Sequence, residues 1–349
     1  MSGNNKVKFI SLFLSALIML SMLAACAPEA QPSPAATTPP PTSAAPTSPS
    51  TTAPTPVEYS GKLPIFNAGS LTVPWAAVNE GYNQIYPDVE ILNEAGGSAT
   101  TIRKVTELGK ECGVIGSADY KLVPELMFPD FADWYIIFAS NQMVLCYTDN
   151  SKFGSEINAD NWYQILQREG VTYGRSDPDQ DPCGYRTLMV WQLAEKYYQE
   201  AGIYDKLYDA PGDTMRAKSV DLIALLESGD LDYAFEYDSV AKQHNLKYVS
   251  LPEQINLSSA EHESDYAQAK VNIKGSKPGE TIEMVGEPIL YAVTVPKGFP
   301  DQELAISWVE YLLSDKGIAA LESAGQSATK PAVASDKSKL PAALQKYVK

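Results

Sequence analysis

The sequence predicts an α/β protein of two lobes behind an extended tether, and three observations carry that expectation. Strand-like and helix-like segments alternate from Val57 onward, the order that builds helix-covered sheets. With 349 residues, 44% of them apolar, the chain is long enough for two cores. Ten of its 25 prolines crowd between Ala27 and Pro56, ahead of the first strand. The formal charge of −16, from 43 acidic and 27 basic residues, argues against a nucleic-acid binder, which needs a basic face. Two histidines, His244 and His262, leave little room for a His-rich metal centre.

The first 56 residues read as an address and a spacer. Lys6 and Lys8 precede an apolar run from Phe9 to about Ala25, the pattern of an export signal (1–25). The run ends in Leu23-Ala24-Ala25-Cys26, which resembles the lipobox of bacterial lipoproteins, with Cys26 the lipidated new N-terminus. Residues 26–56 then form the tether. From Ala27 to Pro56 all but Glu29 and Gln31 are Pro, Ala, Ser or Thr, a composition that cannot bury a core. At roughly 3.1 Å per residue, a proline-stiffened segment of this length reaches on the order of 90 Å. Loss of Lys6 and Lys8 with the signal takes the charge from −16 to −18.

The folded body opens with a strand over Lys62–Ala68, a helix over Val73–Tyr86 and a strand over Val89–Ala95. Ser98 is placed to cap a helix through Gly109, and Gly113–Gly116 makes a third strand. This β-α-β-α-β order implies a mainly parallel sheet. Trp134–Ala139 and Gln142–Thr148 are strands either side of Ser140-Asn141. Further on, helices are expected over Asp160–Gln167, Cys183–Glu200 and Asp221–Glu227, and strands over Val171–Gly174, Tyr233–Tyr237, Lys247–Leu251 and Ile289–Val295. Ala305, Trp308, Val309 and Leu312 recur at helical spacing within Asp301–Leu313. The three cysteines of the body, Cys112, Cys146 and Cys183, fit no zinc spacing, and Cys112 and Cys146 read as small buried apolar residues.

Three loops follow strands and precede helices: Asn67-Ala68-Gly69-Ser70, Gly96-Gly97-Ser98 and Asp181-Pro182-Cys183-Gly184. A helix start offers free N–H donors and a partial positive charge, so such loops can hold an oxyanion. Ser70 and Ser98 add hydroxyl donors; read one at a time, each serine is more simply a helix cap, and it is the grouping of several such loops at strand ends that points to an anion site.

A family resemblance rests on the segments FNAGSLTVP (66–74), VTELGK (105–110), GSADY (116–120), DNWYQIL (160–166), DPCGYRTLM (181–189), ALLESGDLDYAFEY (224–237), VAKQH (240–244) and LPEQINL (251–257). Together they resemble the tungstate/molybdate-binding proteins of ABC importers, closest to the archaeal-type branch, from about Leu63 to Lys349. The resemblance implies a two-lobed type II periplasmic-binding-protein fold with a central cleft and a two-strand hinge. Lobe I would comprise 57–148 plus 286–349, and lobe II 149–285. It implies a monomer without a cofactor and without catalytic activity, which binds tungstate or molybdate outside the cell and delivers it to an ABC permease. The anion contacts it implies are Gly69, Ser70, Ser98, Asp181, Pro182, Cys183, Ser219 and Tyr237. Asp181 matches a family carboxylate that approaches the metal of the anion itself. The second such position falls on Ser219, where many relatives have Glu. Either the site has one carboxylate, or a neighbour such as Asp221 or Glu236 substitutes.

Asp181 before Pro182 is also the ordinary start of a helix. A carboxylate facing an anion's oxygens repels it by roughly 4 kcal/mol at 4 Å and an effective dielectric of about 20. Contact with the anion therefore makes sense only at a metal centre that accepts another oxygen, as Mo(VI) and W(VI) do and sulfur does not. Two other readings stay open at this stage: a binder of another oxyanion such as sulfate, and a secreted Cys-dependent hydrolase using Cys183 with His244 as base.

Overall fold

The computed structural model describes residues 58–277 and 279–349. The export signal, Cys26 and the tether lie outside the described residues. The body is built on two mixed sheets. The first starts as expected, with β1 (Gly61–Ala68), α1 (Thr72–Asn83), β2 (Val89–Gly96), α2 (Ser98–Thr106) and β3 (Val114–Ser117). Here β1 pairs in parallel with both β2 and β3. After α3 (Leu122–Met127) comes β4 (Ile136–Ser140).

The chain then crosses into a second sheet. Its elements are β5 (Met143–Tyr147), α4 (Trp162–Leu166), β6 (Tyr173–Ser176), α5 (Pro182–Tyr197), α6 (Ile203–Leu207), β7 (Asp213–Arg216), α7 (Asp221–Ser228), β8 (Tyr233–Tyr237), α8 (Asp238–Gln243) and β9 (Lys247–Ser250). The strand order is β7-β6-β8-β5-β9. The short α9 (Glu263–Tyr266) leads into a hairpin of β10 (Lys270–Lys274) and β11 (Thr281–Val285). The chain crosses back, and β12 (Leu290–Thr294), α10 (Gln302–Leu313), α11 (Asp315–Ser323) and β13 (Ser327–Ala334) complete the first sheet in the order β13-β4-β12-β3-β1-β2.

Two sequence expectations change. The first sheet is mixed, because β12 inserts between β3 and β4 and runs antiparallel to both. And β5 pairs with β8 and β9, so the first crossing lies at Ser140–Gln142 rather than near Thr148. The reason is burial: Met143 to Cys146 are all enclosed, so β5 needs cover on both faces and sits inside a sheet.

Each lobe has an aromatic centre. In the first, Trp75 meets Trp308 edge-on at 4.8 Å, and the indole N–H of Trp308 donates to Asn79 Oδ1. In the second, Phe235 on β8 lies 5.7 Å from both Trp162 and Trp191. Alternation along β8 sends Tyr233, Phe235 and Tyr237 to that side and Ala234 and Glu236 to the other, toward α7. All five are buried, so β8 carries a carboxylate into an enclosed layer.

Candidate functional site

The anion-loop residues converge where strands of both sheets end. Gly69 and Ser70 form the turn after β1, and Ser98 opens α2 after β2. Asp181, Pro182 and Cys183 open α5 after β6, Ser219 lies between β7 and α7, and Tyr237 ends β8. The loops of the two lobes touch. A Cβ added at Gly97 would lie 2.2 Å from Gln180 O, and one at Gly69 would lie 3.0 Å from Val220 Cγ2. The N–H of Thr100 donates to Gln180 O at 3.4 Å.

Ser98 is not the cap of α2. Gly97 takes that place, and the Ser98 side chain is free for another task. Its Oγ accepts from the Ala118 N–H at 3.0 Å, which ties the second loop to the end of β3. Ser70 Oγ lies 3.0 Å from the Tyr291 hydroxyl. Tyr291 Oη also accepts from Asn141 Nδ2 at 3.0 Å, and its ring is 5.9 Å from that of Tyr237.

Arg186 is the contact between lobes that sequence reasoning left without a role. It is 2% exposed, on the second turn of α5. Its Nη1 donates to Ala118 O at 2.6 Å and to Tyr237 Oη at 2.8 Å, and its Nη2 pairs with Asp119 at 3.0 Å. Asp119 Oδ2 also accepts from the Tyr185 hydroxyl at 2.6 Å. Burial opposes the Arg186 charge, but Tyr237, Asp119 and Tyr185 outweigh it, so the group holds its proton more firmly than usual. The available signal was spacing: Arg186 lies three and four residues beyond Cys183 and Pro182, on the face of α5 that starts the loop. Tyr291 and Asn141 carried no local signal, since a tyrosine in an apolar strand reads as core.

Asp181 does cap α5, with Pro182 in the first turn. Its Oδ1 accepts from the Cys183 N–H at 3.1 Å and its Oδ2 from the Ser219 N–H at 2.7 Å. The helix-start donors of α5 are thus held by the protein's own carboxylate: Pro182 has no N–H, and that of Cys183 is taken. Burial pushes the Asp181 carboxyl up, against the pull of these N–H groups. Glu236 is fully enclosed, and its Oε1 has no partner. Burial, and then the nearby Asp181 charge, push it well above the usual carboxylate range. Glu236 and Asp181 thus occupy one buried cluster with Ser219, whereas Asp221 lies in the first turn of α7 and is half exposed.

Cys112, Cys146 and Cys183 are buried free thiols. The Cys183 thiol donates to Phe235 O at 3.6 Å, and burial, followed by the Glu236 and Asp181 charges, pushes its pKa well up. His244 caps the C-terminus of α8 on the surface. Among the described residues, no group of three or more His, Cys, Asp or Glu side chains is arranged to hold a metal ion, and no helix is long and apolar enough to cross a membrane.

Comparison with known proteins places this geometry in a family. A Petrotoga mobilis protein described as an uncharacterized solute-binding protein is 46% identical over 293 residues, covering 84% of this chain and 91% of that protein. The molybdate/tungstate-binding protein WtpA of Pyrococcus abyssi is 41% identical over 290 residues, covering 74% of this chain and 82% of WtpA. Among solved structures, the periplasmic molybdate-binding protein of Azotobacter vinelandii superposes with a TM-score of 0.54 at 17% identity, covering 76% of this chain and 98% of that one. The sulfate-binding protein SubI of Mycobacterium tuberculosis superposes at 0.57 with 14% identity, covering 77% and 86%. These two likenesses establish the two-lobed fold. Residues 63–326 match the family described as bacterial extracellular solute-binding protein, and the chain belongs to that family.

Proposed function

We propose that this protein captures a tetrahedral metal oxyanion, tungstate or molybdate, between its lobes and hands it to an ABC permease without chemical change. The observation that carries the reading is the chain of contacts that runs from Ser70 through Tyr291 to the Tyr237 ring, and from Ser98 through Ala118 to Arg186 and Tyr237, across the two lobes. Hydroxyl donors from both lobes suit a small anion that closes the cleft on itself. Similarity to Pyrococcus WtpA supports the metal-oxyanion class. In this reading Gly69, Ser70, Ser98 and Tyr237 contact the anion's oxygens. Pro182, Cys183 and Ser219 form the wall opposite Gly69. Asp181 faces the metal, and Glu236 lies beside Asp181 and Ser219 in the buried layer on the α7 side of β8, behind the anion site rather than at it. Cys26 carries the lipid that holds a monomeric body to the cell membrane. Isothermal calorimetry with tungstate, molybdate and sulfate tests the function: submicromolar binding of the first two, with sulfate weaker, is expected. Absence of binding to all three refutes it. Mass spectrometry of the membrane-extracted protein tests the lipid on Cys26.

A further inference from the structure

The second turn of α2 carries a contact between the lobes that lies outside the anion site. Arg103 follows Ser98 by five residues on this helix of lobe I, yet both backbone groups it grips belong to lobe II. Its Nη1 donates to Asp179 O at 2.7 Å and its Nη2 to Lys274 O at 2.6 Å. Glu107, one turn on, steadies the Nε side of the guanidinium at 3.4 Å. The two gripped residues are tied to each other: Asp179 Oδ1 accepts from the Lys274 N–H at 2.9 Å, and Oδ2 pairs with Lys274 Nζ at 3.0 Å. Behind them the lobe II frame is fixed at two points. Gln192 on α5 bonds both the N–H and the carbonyl of Lys270 at 2.9 Å, which anchors the start of the β10–β11 hairpin. Asp177 Oδ1 accepts from the Asp179 N–H at 2.9 Å, and Asp177 O accepts from the N–H groups of Gln180 at 3.0 Å and Asp181 at 2.9 Å, which shapes the loop leading into Asp181.

From this we infer that Arg103 is the outer latch of the closed cleft, a positioning residue that sets how long a captured anion stays without touching it. The inference rests on the oxyanion-binding reading above. Three features fit a latch rather than a core contact. The walls that Arg103 spans are polar: it lines an open groove between α2 and the hairpin with Glu107, Lys274, Ser276, Lys277 and Glu280, and no apolar side chain is among the described residues there. Parting these walls therefore exposes no core. The two bonds are short and charge-assisted, and a planar guanidinium fork holds two acceptors at once, which a single ammonium does not match. The leverage on the site is direct, since α2 starts at Ser98 and the gripped loop ends at Asp181, two of the residues that form the anion loops of opposite lobes. An anion entering the open cleft does not meet Arg103, whereas one leaving the closed cleft must wait for both bonds to open. Departure depends on Arg103 and arrival does not.

Stopped-flow kinetics on the full chain with tungstate and molybdate test the latch. Arg103→Met keeps the apolar stem of the side chain and removes the fork. Dissociation of both anions is expected to quicken roughly 10- to 100-fold, the range for lost bonds to a charged group. Association should stay within about twofold of wild type. Arg103→Lys keeps the charge but cannot hold both carbonyls, so it should restore only part of the residence time; complete rescue by lysine overturns the two-carbonyl grip. A merely structural role, in which loss of Arg103 misplaces Ser98 or Asp181, predicts slower association, and that result overturns the inference. An unchanged dissociation rate in Arg103→Met overturns it as well. If the wild type binds none of tungstate, molybdate and sulfate, the oxyanion reading itself has failed, a distinct outcome. Hydrogen exchange then reads the latch without any anion. The Thr100 N–H, which reaches across to Gln180 O, should exchange faster in Arg103→Met than in wild type, and equal exchange overturns the latch.

Discussion

Replacing Gly97 by alanine should uncouple folding from binding. Gly97 has φ −64° and ψ 141°, which any residue adopts, so Gly97→Ala puts no strain on its own lobe. Through the unfolded state it stabilises the chain by about 0.4–1 kcal/mol. The added Cβ, however, falls 2.2 Å from Gln180 O and 2.7 Å from Gln180 C, backbone atoms of the other lobe that have no side-chain freedom to yield. Ordinary contact begins near 3.4 Å, so the lobes must stand apart by about 1 Å more at this point. That separation breaks the Thr100–Gln180 bond, already at 3.4 Å, and stretches the 2.6 Å bond from Arg186 Nη1 to Ala118 O beyond hydrogen-bond reach. One neutral and one charge-assisted bond together are worth about 2–4 kcal/mol, so tungstate affinity should fall roughly 30- to 1,000-fold. Calorimetry gives the affinity, and urea unfolding without ligand gives the stability. Gly69→Ala is the control: its Cβ meets only the Val220 side chain at 3.0 Å, which can rotate away, so a smaller loss is expected. Affinity within threefold of wild type for Gly97→Ala would refute the reasoning.

Further outcomes follow from the same geometry. Ser70→Ala or Ser98→Ala should each weaken tungstate, molybdate and sulfate alike by about 1–3 kcal/mol in calorimetry, since each removes one buried donor. Asp181→Ala should instead weaken tungstate more than sulfate; equal losses would remove Asp181 from contact with the metal. Glu287, on the return crossing, bonds Tyr120 and Lys121, yet burial and the Asp119 charge raise its carboxyl above the ordinary 4.5. A folded state that holds a proton the unfolded chain has lost is penalised as pH rises. Stability in urea should therefore fall from pH 4.5 upward through the raised value, and Glu287→Gln should flatten that slope; parallel slopes count against it. With a formal charge of −16 the protein repels a dianion at long range, so stopped-flow association should speed up as inert salt is added.

What the sequence disclosed was local. Helix starts at Asp181-Pro182, the apolar strands β1, β5, β8 and β12, and the amphipathic α10 were all legible from pattern and capping chemistry. The polar edge strands β7 and β13 were not, because half-exposed strands lack the apolar alternation that marks a sheet. At the site, the serines showed through their loops. Their hydrogen-bond partners did not, since Ser70 meets Tyr291, 221 positions away, and Ser98 a backbone N–H. The crossing point also hid, because β4 and β5 are two buried apolar strands separated only by Asn141 and Gln142, and nothing local says they belong to different sheets.

The place of β12 has a consequence for the order of folding. Every strand of the second sheet comes from the continuous stretch 143–250, so that sheet can be finished from its own sequence. The first cannot: β3 and β4 are made early but do not pair with each other, and the strand that joins them arrives some 150 residues later. During synthesis the lobe that comes first therefore waits with two open edges for the lobe that comes second. Substitutions in β12 that leave the finished protein stable should still slow its folding and raise its tendency to aggregate on the way.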